Sequence, residues 1–471
     1  MHSSNAIFCH FLLLIFCLRE STVQAANPLV PNNGMADPHA RAFRGAVYIY
    51  ATHDYSNKNT DFRMDDWWIW ETTDLVHYSK VQEFKPMPWV KPAARTECWA
   101  TDAAEKNNTF YWYLSIGPTE IAVVKSASPF GPWEDKLQKP LLSSKLGQEL
   151  GTTIRDPGII FDPEIGKHYI IFGTFNYFIS ELGEDMMSLA EYPRKVDVIG
   201  AIGNYGPGKT DDKPFIHKRS GTFYLSWGCF YATSEGSVYG PYTFRGTVIR
   251  TSSLSKSFRQ KENHYNKSEW WSNKDLTFRH GSFLSLHNQW YYFTNDITHS
   301  TDLRNKGYFR DVVAGYVHYY NNGSIAPVKI DATGVGSYDV TSGASIEVEN
   351  YFSATDDIVK TEAPRASNGF VVSNISSESR LHFPNVLLRE RVPLLLRLLG
   401  HHGTSDTAIP KVFVNGYQLK LNEQSQISNN ILFSAPVKKI HPLGTPEMNL
   451  TLTFEGRGTI SLDCMHMIFK K

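Results

Sequence analysis

Acidic side chains usually sit on solvated surface, yet five aspartates of this chain stand at strands built from aromatic and β-branched residues. Asp37 lies in Gly34-Met35-Ala36-Asp37-Pro38-His39, and Asp156 in Thr153-Ile154-Arg155-Asp156-Pro157-Gly158. Asp211 and Asp212 lie in Lys209-Thr210-Asp211-Asp212-Lys213-Pro214-Phe215, and Asp102 ends Cys98-Trp99-Ala100-Thr101-Asp102. A single Asp-Pro pair is ordinarily a turn opener. Recurrence at corresponding places before successive strand groups points instead to carboxylates gathered at one site. Gathered carboxylates are what hydrolysis of a glycosidic bond requires. One takes a proton from water and another protonates the leaving oxygen, about 6.5–9.5 Å apart when the anomeric configuration is inverted. A third raises the donor's pKa, because a nearby negative charge disfavours ionisation.

Such residues need a frame that brings distant segments together. Aromatic-rich strands recur from residue 47 to about residue 322, including VYIYATH (47–53), WWIWET (67–72), TFYWYLS (109–115), HYIIFGT (168–174), TFYLSWG (222–228) and QWYYFTN (289–295). Two of them lead to near-identical turns, Ser128-Pro129-Phe130-Gly131-Pro132-Trp133 and Ser237-Val238-Tyr239-Gly240-Pro241-Tyr242. Loose repeats of four-stranded units predict a β-propeller of about five blades, whose loops meet at one end of a central channel. Beyond Gly334 the strands shorten and alternate, and a tail of this length fits a β-sandwich. The expected fold class is therefore all-β: a five-bladed β-propeller over residues 27–335, then a jelly-roll-like sandwich over 344–471.

The first 25 residues read as a signal peptide: an apolar run, AIFCHFLLLIFCL, is too short to span a bilayer, and Val23-Gln24-Ala25 offers small residues for cleavage. Asn-x-Ser/Thr triplets begin at Asn107, Asn266, Asn322, Asn374 and Asn449, which fits a secreted, extracellular glycoprotein. Lys+Arg and Asp+Glu are each 47, so no basic field exists to hold nucleic acid or an anionic membrane. Outside the leader only Cys98, Cys229 and Cys464 remain, so at most one disulfide forms and the core carries the stability. Neither a CxxC pair nor HExxH occurs, which leaves zinc chemistry unsupported.

The stretch from Gly34 to about Val328 resembles glycoside hydrolase family 43. The resemblance is carried by Ala36-Asp37-Pro38-His39, Trp99-Ala100-Thr101-Asp102, Arg155-Asp156-Pro157, Asp212-Lys213-Pro214-Phe215, Gly240-Pro241-Tyr242 and Arg279-His280-Gly281-Ser282. It implies a five-bladed propeller, an inverting mechanism and no required cofactor. It makes Asp37 the general base, Asp156 the residue that tunes and orients the acid, and Asp212 the acid. That third position departs from the family, which places a Glu there, followed by a small residue and Pro. Aspartate is one methylene shorter, and a misplacement of about 1 Å can cost a hundredfold in rate. Asp211 and Glu235 are alternatives. Trp99, Asp102, His280 and Arg310 are the candidate substrate-binding residues. Trp99 offers a ring face for a sugar, and His280 resembles the family's central histidine near the channel floor.

The opening of the tail, Ile346-Glu347-Val348-Glu349-Asn350-Tyr351-Phe352, resembles carbohydrate-binding module family 6. That likeness implies a structural calcium held by Glu347 and Glu349. Ser461 stands near the expected late Asn of the binding cleft. The expected function is a secreted inverting exo-glycosidase acting on a polysaccharide or glycan, releasing furanosyl or pentosyl end units as an arabinofuranosidase does. The alternative is a lectin-like propeller that binds glycans without cleaving them.

Overall fold

A computed structural model describes residues 27–59, 61–203, 206–249, 280–296, 308–340, 345–387, 395–402, 409–420, 422–427, 430–436, 447–456 and 459–468. The leader, Asn266 and Arg279 lie outside the described residues.

Five antiparallel sheets follow one another along the chain. Blade 1 is Met35–Phe43, Ala46–His53, Trp67–Thr72 and Ser79–Phe84. Blade 2 is Cys98–Lys106, Thr109–Ile116 and Glu120–Ser126, extended by bridges from Ile121 to Leu142 and from Lys125 to Glu134. Blade 3 is Gly158–Asp162, Lys167–Phe172, Phe178–Glu181 and Arg194–Lys195. Blade 4 is Phe215–Arg219, Thr222–Trp227, Phe230–Glu235 and Tyr242–Thr247, with Val198–Ile199 added in parallel at its edge. Blade 5 is Gly281–Leu286, Gln289–Asp296, Asp311–Tyr319 and Ile325–Ala326. The first strand of each blade touches the first strands of both neighbours, which closes a ring around a central channel. Crowding at the axis explains the small residues there. A Cβ on Gly158 would lie 2.6 Å from Pro214 O, and one on Gly281 would lie 2.5 Å from Phe293 O.

Away from the axis the blades diverge, and large rings fill the widening wedge. Trp112 packs against Trp133, Tyr50 and Phe84 with centroids 5.3–5.6 Å apart. Trp67 is fully buried in the same cluster, so most of the aromatic excess is interblade core. Each such ring contributes roughly 1.5–3 kcal/mol by burial.

Each blade is built from consecutive strands, so ring closure does not rest on a strand shared between the chain ends. Leu29 N donates to Val312 O at 2.8 Å, and the Asn27 side-chain amide brackets Ala314. Between blades 1 and 5, Ser282 Oγ accepts from Ala40 N and donates to Pro38 O.

The tail forms two facing sheets around Val348, Val372, Leu381, Phe383, Val412, Leu450 and Leu462. Tyr338–Asp339 already pairs with Arg380–Leu387, so sandwich pairing begins a few residues before 344. Gln289 of blade 5 ties the two units together by donating to Glu349 O and Tyr351 O. Cys98, Cys229 and Cys464 are buried, and no disulfide joins them among the described residues. No described helix is long and apolar enough to cross a membrane.

Candidate active site

One backbone device aims the carboxylates. Along the first strand of blade 1 the pairing register shifts between Ala36 and His39, and Asp37 adopts φ +50. Pro38 cannot donate to a ladder, so the chain leaves the sheet there and turns the Asp37 side chain into the channel mouth. Asp156-Pro157 repeats the device with φ +54. So does Lys213-Pro214, with φ +68. Left-handed non-glycine residues before proline are costly, and strain of this kind gathers at functional sites.

Asp37 is buried and fully engaged. Its Oδ1 accepts from Arg310 NH1 at 2.7 Å and from Asn295 Nδ2 at 2.9 Å, and its Oδ2 accepts from Thr52 Oγ1 at 2.9 Å. Asn295 Oδ1 in return accepts from the Asp37 backbone N–H. Burial pushes the carboxyl pKa up. The Arg310 guanidinium, His280 and the Asn295 and Thr52 hydrogen bonds outweigh that, leaving the pKa well below the usual carboxylate range. Arg310 is itself fixed by Asp54, which accepts from its Nε, NH2 and backbone N–H at 2.7–3.0 Å. Truncating one partner of a buried ion pair costs about 3–5 kcal/mol. Arg310→Met is therefore expected to lower unfolding stability by that order, read from the midpoint of a urea titration.

Across the channel mouth a second group assembles. The Asp156 backbone N–H donates to Ser115 Oγ at 2.8 Å, and its Oδ2 accepts from Lys213 N at 3.3 Å. Asp212 lies between two cations: Arg155 NH2 is 3.0 Å from Oδ2 and Lys213 Nζ is 2.6 Å from Oδ1. Lys213 Nζ also reaches Asp211 Oδ2 at 3.2 Å. Burial, then the charge of Asp212, pushes Asp156 up to about 7. Burial acts on Asp212 in the same sense, but Lys213 and Arg155 outweigh it and lower its pKa.

Both groups face one pocket, with a cavity volume of about 120 Å³. Its lining brings together Asp37, Trp99, Asp156, Asp212, His280 and Arg310, joined by Phe62, Met64, Ala100, Arg155 and Lys213. Trp99 is wedged between the Phe62 carbonyl, to which its indole donates at 3.3 Å, and the Arg155 guanidinium 5.3 Å from its ring. Asp211 is buried outside the lining, and Glu235 is exposed and accepts from Thr222 Oγ1.

Asp102 is a correction to the sequence expectation. It has no exposed surface and does not line the pocket. It lies deeper in the channel, accepting from Arg41 Nε at 2.9 Å and from the backbone N–H of Ile159 at 2.7 Å, with His39 Nδ1 at 3.2 Å. Sequence reasoning gave Lys213 no role beyond its place in Asp212-Lys213-Pro214-Phe215. The usable signal was its place before Pro214, which matches Asp37 before Pro38 and Asp156 before Pro157. Asp54, Asn295 and Thr52 carried no local signal.

A family model described as glycosyl hydrolases family 43 matches residues 25–294. The chain belongs to that family. Among characterised relatives, this family 43 protein is 27% identical over 274 residues to a xylosidase/arabinosidase of Bacteroides ovatus, covering 47% of this chain and 80% of that one. It is 25% identical over 431 residues to an arabinoxylan arabinofuranohydrolase of Paenibacillus polymyxa, covering 79% of this chain and 63% of that one. Its fold is shared with a family 43 arabinoxylan arabinofuranohydrolase from Bacillus subtilis solved in complex with cellotetraose. That match has a TM-score of 0.54 and 18% identity, over 94% of this chain and 98% of the other. This glycoside hydrolase is thus a propeller enzyme with an attached sandwich.

Proposed function

We propose that this family 43 protein is a secreted, inverting exo-glycosidase that removes single arabinofuranosyl or xylosyl end units from arabinoxylan-like chains. The observation that carries the reading is the pair of carboxylate groups, Asp37 on one side and Asp156 with Asp212 on the other, facing one small pocket. The names of the relatives support the substrate class.

Asp37, held ionised by Arg310, takes a proton from the attacking water. A second carboxyl gives one to the leaving oxygen. Motif position assigns that donor role to Asp212, with Asp156 as its tuner. The ion pairs favour the reverse: two cations hold the Asp212 charge, while Asp156 is the group raised far enough to keep a proton near neutrality. A panel of nitrophenyl α-L-arabinofuranoside, β-D-xyloside and β-D-galactoside tests the reading. Turnover of either pentoside supports it, and tight glycan binding with no turnover of any member contradicts it.

The exposed positions of Asn107, Asn322, Asn374 and Asn449 support passage through a glycosylating secretory route. In the sandwich, Ser367 Oγ joins Glu347 to Asp463, and Asn368 Nδ2 donates to Glu349 Oε1 at 2.9 Å. No three carboxylate, imidazole or thiol groups close into a metal cage among the described residues. Glu349 Oε2 is nevertheless buried with no hydrogen-bond partner among the described residues, which fits a calcium ion held by Glu347 and Glu349. Burial pushes Glu349 up to about 8 from the ordinary value of 4.5. A carboxyl raised in the fold binds more protons folded than unfolded, so its cost to stability grows between those two pH values and levels above about 8. Bound calcium offsets that cost. Calcium is expected to raise the melting temperature more at pH 8 than at pH 5. An equal rise at both would contradict the assignment.

A further inference from the structure

Beneath the pocket, four buried side chains stand in line along the channel: Asp37, His280, His39 and Asp102. His280 Nδ1 lies 3.4 Å from Asp37 Oδ1, the two Nε2 atoms lie 2.9 Å apart, and His39 Nδ1 lies 3.2 Å from Asp102 Oδ2. Neither histidine is exposed by more than 2%.

Counting protons gives this line a property no single contact has. The central contact is a hydrogen bond and the two end contacts are ion-pair contacts at 3.2 and 3.4 Å, so filling the line takes one proton at each of three places. Two neutral imidazoles carry two N–H groups in total. One contact is therefore always bare at rest, whichever tautomers are chosen. An N–H on His39 Nδ1 toward Asp102 is favoured, because that carboxylate is ionised beside Arg41. His280 Nε2 then donates to His39 Nε2, and the bare atom is His280 Nδ1, facing Asp37.

The geometry points to His39 and His280 as a two-imidazole relay with room for one proton, which receives the proton that Asp37 takes from water. This rests on the assignment of Asp37 as the base. The step balances. Water loses a proton to Asp37 as its oxygen bonds to the anomeric carbon, and Asp37 passes that proton to His280 Nδ1. His280 then carries N–H on both nitrogens, and the positive charge is shared with His39 between two aspartates. Each of the three contacts then holds one proton, and Asp37 is again ionised while the sugar still covers the mouth. The charges around the pair fit this use. Burial pulls His280 down to about 3, with Lys213 and His39 acting in the same sense, so the ring starts neutral, while Asp37 and Asp212 face it as counter-charges. Among the described residues His39 meets the Phe215 ring edge, His280 and Asp102 with its Arg41 partner. His39 is fully buried outside the pocket lining and acts as a positioning residue through His280.

His39→Gln separates relaying from mere support, because an amide can hold the His280 ring by a hydrogen bond but cannot accept a proton on one side and release it on the other. The expected result is a fall in kcat of tenfold or more, with KM within twofold of wild type. The curved dependence of kcat on solvent deuterium fraction is expected to become linear. Wild-type kcat and an unchanged deuterium curve would overturn the relay. If Asp37→Asn is inactive while His39→Gln is fully active, the relay alone fails; if Asp37→Asn keeps wild-type turnover, the base assignment fails with it. Nitrogen NMR of 15N-histidine-labelled wild type needs no variant. Two protonated nitrogens among the four at pH 7 are expected, and three would leave no vacancy and overturn the proposal.

Discussion

Asp37→Asn lowers kcat by about a thousandfold or more on every substrate, including activated aryl glycosides. Amide and carboxylate have nearly the same shape, and Thr52 and Asn295 still bond the side chain. Arg310 keeps its paired contacts to Asp54, so the channel mouth stays in place. What is lost is the one group that is ionised and aimed at the attacking water. General-base removal typically costs 10²–10⁴-fold. Because water activation is needed whatever leaves, a good leaving group does not restore the rate. The measurement is kcat on a nitrophenyl pentoside beside a melting curve. A loss below tenfold with an unchanged melting temperature would remove Asp37 from the mechanism.

The second large effect distinguishes the proton donor by leaving group. A nitrophenolate departs without protonation, whereas a sugar alkoxide does not. Asp156→Asn is expected to keep most activity on the nitrophenyl substrate and to lose about 10²–10⁴-fold on an oligosaccharide. Asp212→Asn is expected to lower both rates by similar factors. Its charge anchors Lys213 and Arg155, and its loss disturbs the pocket without removing a proton. Wild-type kcat/KM on the oligosaccharide should fall as pH rises through about 7, where Asp156 loses its proton. The opposite pattern, with leaving-group dependence confined to Asp212→Asn, would return the donor role to the position that motif matching assigns.

Much of the frame was legible because it rests on local signals. Recurring aromatic-rich strands and repeated Gly-Pro turns predicted a ring of sheets, and the five sheets form one. Asp37 and Asp156 were legible for the same reason, since a proline after each forces the chain out of the ladder where the side chain must enter the channel. Asp102 has no such neighbour. It sits farther along the inner strand of blade 2, and the alternation that turns it toward the axis also places it below the floor, against His39 and Arg41. Lys213 was hidden for a different reason. Its charge reads as surface, and only the left-handed backbone before Pro214 shows that it occupies the place taken by aspartates in blades 1 and 3. The partners of Asp37 come from up to 273 residues away, so no window of sequence could have joined them. In the sandwich, Glu347 and Glu349 were named from the resemblance of the opening motif, but the burial of Glu349 is a property of the folded tail that no short window shows.

The most direct test of two carboxylates working on opposite sides of one sugar is the configuration of the first product. Proton NMR of the anomeric signal, recorded within minutes of adding enzyme to an aryl α-L-arabinofuranoside, should show β-L-arabinofuranose appearing before mutarotation. An initial α product would mean that a side chain, not water, attacks the anomeric carbon, and would contradict the account.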